Sequence, residues 1–172
     1  AAKDAANIGI SGIPAPTFSD YERALKCWDA SYIHIPLPLS WPNQIQHNFP
    51  LTPKTSVLWI TNPHNPTGQL WSRESIEPLL NQYKLIICDE AFLPLIPKGE
   101  EHSLLPLVKE CPNLVVIRSL TKLFAIPGLR LGYAIGCPKR LLNWSQVRDP
   151  WPLNGLALSA GQKLMSDPDS MH

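Results

Sequence analysis

Six short apolar runs recur along the chain, with polar or helically spaced stretches between them. They are IGISGI (8–13), SYIHIPL (31–37), SVLWITN (56–62), LIICDE (85–90), LVVIRSLT (114–121) and LRLGYAIG (129–136). Each is rich in Ile, Leu and Val and shorter than a usual helix, so each predicts a strand. Between them, FSDYERALKCWD (18–29) sets Phe18, Tyr21, Leu25 and Trp28 on one helical face, with Thr17 as its candidate cap. Ser72, Ser75 and Ile76 open a second helix expected to reach Tyr83. Residues 104–110 and 154–166 predict two more.

Short strands that are apolar on both faces and alternate with helices predict an α/β fold, a mostly parallel sheet flanked by helices. In such sheets ligands bind beyond the carboxyl ends of the strands. Three polar clusters fall at that position: TNPHNPTG after SVLWI, DEAF after LIIC, and SLTK after LVVIR. Residues 36–53, rich in Pro, Asn and Gln, predict a long surface connection. The chain carries no internal repeat and no low-complexity tract.

The length of 172 residues suits one domain with a proper core and is short for two. Nineteen prolines exceed average usage, but they are scattered among apolar segments and predict frequent turns rather than disorder. A formal charge of +1 lacks the clustered basic surplus of a nucleic-acid binder, so no nucleic-acid partner is expected. No stretch approaches the ~20 apolar residues of a membrane span, and AAKDAANIGI lacks the pattern of a secretion signal. Cys27, Cys88, Cys111 and Cys137 lie far apart with no histidine at ligand spacing. They read as structural thiols of a cytoplasmic protein, with neither a disulfide framework nor a metal site.

The strand-end clusters change the picture more than composition does. A lone loop lysine is ordinarily a solvated charge, but Lys122 has company. Ser119 and Thr121 offer hydroxyls, Arg130 offers a planar fork of donors, and Gly128 and Gly132 leave room for close approach. Arginine with hydroxyls is a common way to hold a phosphate monoester, and a lysine beside a phosphate-bearing aldehyde would condense with it. Asp89 closes a run of four apolar strand residues, where a carboxylate is costly unless it has a cationic partner. Taken alone, it reads first as a helix cap or a strand-end salt bridge. A pyridinium N–H would be such a cation. In NPHNPTG, two prolines and a glycine force an irregular turn with Asn62 and Asn65 free to reach outward, and Asn65 could donate to a ring oxygen.

Taken in order, N-P-x-N-P-T-G, the apolar strand with D-E-A-F, and S-L-T-K-x-x-A-I-P-G-L-R-L-G-Y resemble the fold-type I pyridoxal 5'-phosphate (PLP) enzymes of the class I/II aminotransferase family. The match runs from about Phe18 through Leu164. Within the family the pattern is most similar to the threonine-phosphate decarboxylase branch of cobalamin biosynthesis, then to the histidinol-phosphate aminotransferases. RSLTKLFAIPGLRLGY, PWPLNGLALSAG and Phe92, which stands where many aminotransferases carry tyrosine, favour the first.

The resemblance implies that Lys122 carries the cofactor covalently and shuttles protons, Asp89 holds the pyridinium nitrogen and Asn65 the ring oxygen. Ser119, Thr121 and Arg130 would bind the cofactor phosphate. Phe18 would stack on the ring or simply pack in the core, and both stay open. Asn154 would line the substrate side, whereas His64, Tyr21 and Tyr133 read as structural. The substrate implied is a small, phosphorylated amino acid, and the full-length form a homodimer with shared active sites. Family subunits are longer, with an N-terminal arm and a small C-terminal domain, so residues 1–172 are expected to be the large PLP-binding domain, a fragment inactive alone.

Two rivals remain. LIICDEA also resembles the magnesium-binding strand of a P-loop NTPase, but GxxxxGK[ST] is absent from these residues and the other clusters go unexplained. The second is an inactive remnant or binding module, against which the joint presence of Lys122, Asp89, Asn65 and Arg130 argues.

Overall fold

The computed structural model describes residues 1–38, 40, 41, 45–50 and 54–166. In chain order the elements are α1 (Ala2–Ile8), β1 (Ser11–Ala15), α2 (Ser19–Lys26), β2 (Tyr32–Pro36), β3 (Ile45–Gln46), β4 (Val57–Thr61), β5 (Leu70–Trp71), α3 (Arg73–Ile76), β6 (Leu85–Asp89), β7 (Leu114–Ser119), α4 (Leu120–Leu123), β8 (Gly132–Gly136), α5 (Pro138–Val147) and α6 (Gly155–Ser166). Six strands form one sheet in the order β2-β1-β4-β6-β7-β8, all parallel except the antiparallel β7–β8 pair. The short β3 and β5 pair separately. The mostly parallel α/β fold read from the sequence is the fold observed.

The apolar runs of the central strands β4 and β6 are continuous because both faces of the sheet are buried there, whereas the edge strands β2 and β8 are mostly half-buried or exposed. On β4, Leu58 and Ile60 join one core cluster while Val57 and Trp59 join the other, and on β6 the division is Ile86 and Cys88 against Leu85 and Ile87. The first cluster is closed by Trp71, Ile76, Leu79 and Val108, the second by Ala5, Tyr21 and Leu25. Each such large side chain withdrawn from water stabilises the fold by about 1.5–3 kcal/mol, which ties the helices to a fixed register on the sheet.

Several boundaries differ from the sequence reading. The strand expected at 8–13 begins at Ser11, because Ile8 ends α1 and Gly9 breaks it with φ 143°, a conformation closed to most side chains. The helix expected over 18–29 spans Ser19–Lys26. Phe18 is its first flanking residue, and the Thr17 hydroxyl is buried without a partner instead of capping. The second expected helix has one α turn and then a 3-10 turn, Glu77–Asn81, at Pro78, which lacks the N–H an α-helix needs. Residues 104–110 likewise form a 3-10 turn, Leu105–Lys109. The run LVVIRSLT leaves the sheet after Ser119, and LRLGYAIG enters it only at Gly132, after Arg130 in the left-handed region (φ 53°). Of the connection read at 36–53, residues 39, 42–44 and 51–53 lie outside the described residues, and β3 lies within it. α5 was not anticipated. It opens on Pro138 and packs Leu141 and Trp144 on the second cluster.

After β1 the chain steps to one side for β2 and then to the other for β4, so the strand order reverses at β1 and β4. That reversal opens a crevice beyond the strand ends. Among the described residues no helix is long and apolar enough to cross a membrane. Cys27 is exposed, Cys88 buried and Cys111 and Cys137 half-buried, and all four are free thiols.

Candidate active site

A cleft of about 320 Å³ opens at the carboxyl ends of β1, β4, β6 and β7. The three clusters read from the sequence meet in it. Asn65 comes from the turn after β4, Asp89 ends β6, Phe92 follows, and Ser119, Thr121, Lys122 and Arg130 come from β7 and the segment after it. Phe18 enters from the start of α2.

Asp89 is the last residue of β6, in register with Thr61 and Ile117 on the neighbouring strands. Its Oδ1 accepts a hydrogen bond from the Ala91 N–H at 2.9 Å, and its Oδ2 accepts one from the Tyr21 hydroxyl at 2.7 Å. Among the described residues no lysine, arginine or histidine pairs with it. Neither the helix cap nor the salt bridge weighed for it is what the structure forms. Tyr21 is itself buried, and its oxygen also lies 3.0 Å from Thr61 Oγ1. Burial first, and then the adjacent Asp89 charge, hold the Tyr21 phenol far above its ordinary pKa, so it remains a proton donor.

Lys122 sits in the single turn of α4, its side chain exposed to the cleft and its Nζ 5.4 Å from the centre of the Phe92 ring. That separation permits a cation–π contact. Ser119 Oγ and Thr121 Oγ1 lie 2.7 Å apart at the foot of the same turn. Arg130 follows the 3-10 turn Pro127–Leu129 and, like Lys122, has no ion-pair partner among the described residues. The neck of this segment is closed by the Leu120 N–H donating to the Leu131 carbonyl at 3.1 Å. Gly132 is required there, because a Cβ would come within 2.8 Å of the Arg118 carbonyl oxygen.

The two asparagines that precede prolines in NPHNPTG part company. Asn65 is half-buried on the cleft. Asn62, read as reaching outward, is instead fully buried: its Nδ2 donates to the Trp71 carbonyl and its Oδ1 accepts the Trp71 N–H. It pins the turn to β5. His64 is structural as read, its Nε2–H donating to the Pro16 carbonyl at 2.7 Å and so joining the Asn65 turn to the loop before Phe18. Burial lowers its pKa and keeps the ring neutral.

Phe18 belongs to none of the core clusters among the described residues. Its ring is 42% exposed at the cleft and meets Tyr21 edge-on at 5.8 Å. Asn154, read as lining a substrate, lies outside the cleft-lining residues. It is exposed at the head of α6, where its Oδ1 accepts the Ala157 N–H and its Nδ2 reaches the Leu129 carbonyl.

Sequence reasoning missed two features. Tyr21 was read as packing, yet it lines the cleft, and its spacing of three from Phe18 was the available signal. The other is the Glu90–Arg118 pair behind the cleft. Glu90 is fully buried, and Arg118 contacts its Oε2 through both Nε (2.9 Å) and Nη2 (2.7 Å). Glu90 also accepts from the Ser103 hydroxyl and the Leu104 N–H, while Arg118 grips Glu100 with both terminal nitrogens. Burial raises the Glu90 pKa, with Arg118 opposing. Arg118, though on the cleft wall, is thereby fully engaged.

Facing the cleft are an amine, a guanidinium, two hydroxyls, an amide and a carboxylate. That donor set fits an aromatic aldehyde bearing a phosphate and a basic ring nitrogen, the groups PLP carries.

The model of the family described as aminotransferase class I and II matches residues 12–172. The chain is 38% identical over 122 residues to the threonine-phosphate decarboxylase of Salmonella typhimurium, covering 68% of this chain and 33% of that protein. It is 33% identical over 164 residues to a histidinol-phosphate aminotransferase of Desulfitobacterium hafniense, covering 89% and 44%. Among solved structures, L-threonine-O-3-phosphate decarboxylase from Porphyromonas gingivalis superposes with a TM-score of 0.81 at 24% identity, over 99% of this chain and 51% of that one. This last likeness shows the fold. The chain spans less than half the length of these curated relatives. A match through all three strand-end clusters settles the family: the chain belongs to the class I and II aminotransferases, a family of PLP enzymes.

Proposed function

We propose that this chain is the large, cofactor-holding domain of a PLP-dependent enzyme that decarboxylates a phosphorylated amino acid, O-phosphothreonine. The observation that carries it is the trio Asp89, Lys122 and Arg130 on one cleft, none with an ion-pair partner among the described residues. A carboxylate left without a protein cation is costly at a strand end, and a ligand cation relieves that cost. PLP, when bound, supplies an electron sink for the bond breaking at the substrate's α-carbon. Lys122 would hold it covalently and afterwards carry protons to and from that carbon. Asp89 would accept a hydrogen bond from the ring nitrogen and keep it protonated. Ser119, Thr121 and Arg130 would bind the phosphate, Asn65 the ring oxygen, and Phe18 would cover one ring face.

The relatives above support both a decarboxylase and a histidinol-phosphate aminotransferase. Phe92 favours the first, because its ring lies beside Lys122 without the hydroxyl a tyrosine would bring. On this reading the full-length protein is a cytoplasmic homodimer of cobalamin biosynthesis, acting on a small molecule, with no nucleic-acid or membrane partner.

Borohydride reduction of the PLP-treated protein, followed by peptide mapping, is expected to place the label on Lys122. A label on Lys139 or Lys163, or none, overturns the site. The full-length enzyme should then release carbon dioxide and aminopropanol phosphate from O-phosphothreonine. Glutamate from histidinol phosphate with 2-oxoglutarate, and no carbon dioxide from O-phosphothreonine, would instead make it an aminotransferase.

A further inference from the structure

Each oxygen of Asp89 already has one donor, and only one of the two is a side chain. The Ala91 N–H belongs to the strand's own continuation, and no substitution short of proline removes it. The Tyr21 hydroxyl arrives from α2, 68 residues earlier in the chain. It is held on three sides: the ring packs against Trp59 at 5.5 Å and Phe18 at 5.8 Å, and the oxygen meets Thr61 Oγ1 at 3.0 Å. With the phenol so fixed, one carboxylate oxygen is tied to the backbone and the other to a rigid side chain, so the carboxylate plane has no freedom to turn. The charged and titratable groups sharing the cleft with it are Asp20 and Tyr21 from α2, Arg118 from β7 (already paired with Glu90 and Glu100), Lys122 from α4 and Arg130 beyond it.

We propose that Tyr21 is a positioning residue that acts through Asp89, orienting its carboxylate toward the ring nitrogen of the cofactor. The inference rests on the PLP reading above and adds to it a residue that never touches the cofactor's reacting atoms. It also makes the first turn of α2 a single device: Phe18 is presented to one face of the ring while Tyr21, one turn on, aims the group that meets its edge. The Tyr21 phenol can serve because burial and the Asp89 charge keep it protonated at every working pH.

The test compares two probes, PLP and its analogue in which ring carbon replaces the ring nitrogen, binding to the same protein without substrate. Wild-type protein is expected to bind PLP more tightly than the analogue. Tyr21→Phe removes one oxygen and should weaken PLP about tenfold, the scale of one hydrogen bond to a charged group, while leaving the analogue's affinity unchanged. Because Tyr21→Phe strands the buried Thr61 hydroxyl, the double variant Tyr21→Phe/Thr61→Val is measured beside it and should show the same selective loss. Equal weakening of both probes in both variants would mean Tyr21 merely supports the fold, and no change in either would mean Asp89 needs no such help. Either result overturns the proposal and leaves the PLP reading standing. Should wild-type protein bind both probes alike, the pairing of Asp89 with a ring nitrogen falls, and this inference with it.

Discussion

Replacing Arg118 by methionine keeps an unbranched apolar stem and removes the charged guanidinium, leaving Glu90 fully buried without a cation. Breaking a buried pair by deleting one partner costs about 3–5 kcal/mol, because the remaining charge is uncompensated. Glu90 keeps the Ser103 hydroxyl at 2.8 Å, the Leu104 N–H at 2.7 Å and the weak Cys88 thiol as donors, so the lower end of about 3 kcal/mol applies. Glu100, by contrast, is 58% exposed and passes to solvent, so Glu100→Gln should cost at most about 1 kcal/mol. Set against a typical domain stability of about 5–15 kcal/mol, the first change is severe and the second minor. The pH dependence has a definite sign. Glu90 already titrates above its ordinary value, and without Arg118 it climbs further. The folded variant therefore favours the protonated acid more than wild type does. Its deficit should be full at neutral pH and shrink as the pH falls and Glu90 takes up its proton. Urea unfolding of both variants and wild type at pH 7 and pH 5, followed by circular dichroism, measures this. If Glu100→Gln costs as much as Arg118→Met, or if the Arg118→Met deficit grows in acid, the account of the buried pair is wrong.

Two further substitutions test the cleft. In the full-length enzyme Asp89→Ala should lower turnover by about 10²–10³-fold, the scale of one preorganised electrostatic contact, and far more than it lowers cofactor occupancy; near-normal steady-state rates would return Asp89 to a structural role. Arg130→Lys keeps the charge and loses the two-point grip, so PLP affinity measured without substrate should fall, whereas a change confined to the substrate Michaelis constant would move Arg130 away from the phosphate.

The sheet could be read from the chain because its central strands are apolar on both faces, and few other structures tolerate runs such as SVLWI and LIIC. The cleft was legible for a related reason: its polar groups come immediately after those strands, so locating the strand ends located the site. What sequence did not reveal depends on partners distant in the chain. Glu90 and Arg118 each follow an apolar run, and nothing local pairs them. Their meeting depends on β6 and β7 lying side by side with Asp89 opposite Ile117. Asn62 and Asn65 have nearly the same neighbours, yet the return of the chain through β5 buries one and leaves the other facing the cleft. The hydroxyl of Tyr21 was hidden behind its ring, since helical spacing reports which face is apolar and not what its polar tip meets. The misplaced ends of β1 and β8 have a backbone cause, in Gly9 and Arg130 at positive φ.

The antiparallel turn from β7 to β8 has an evolutionary corollary. Both ends of the stretch carrying Lys122 and Arg130 are rooted in adjacent strands of one sheet edge, and its neck is laced by the Leu120–Leu131 hydrogen bond. The two cations thus travel as one cassette. Sequence inside it can drift, residue for residue, while their separation is conserved by the anchoring strands. An insertion or deletion cannot be absorbed so readily: it must either bulge between the cations or slip β8 by a residue, which would turn that strand's inward side chains outward. Length, more than identity, is the property of this segment on which selection should act most strictly.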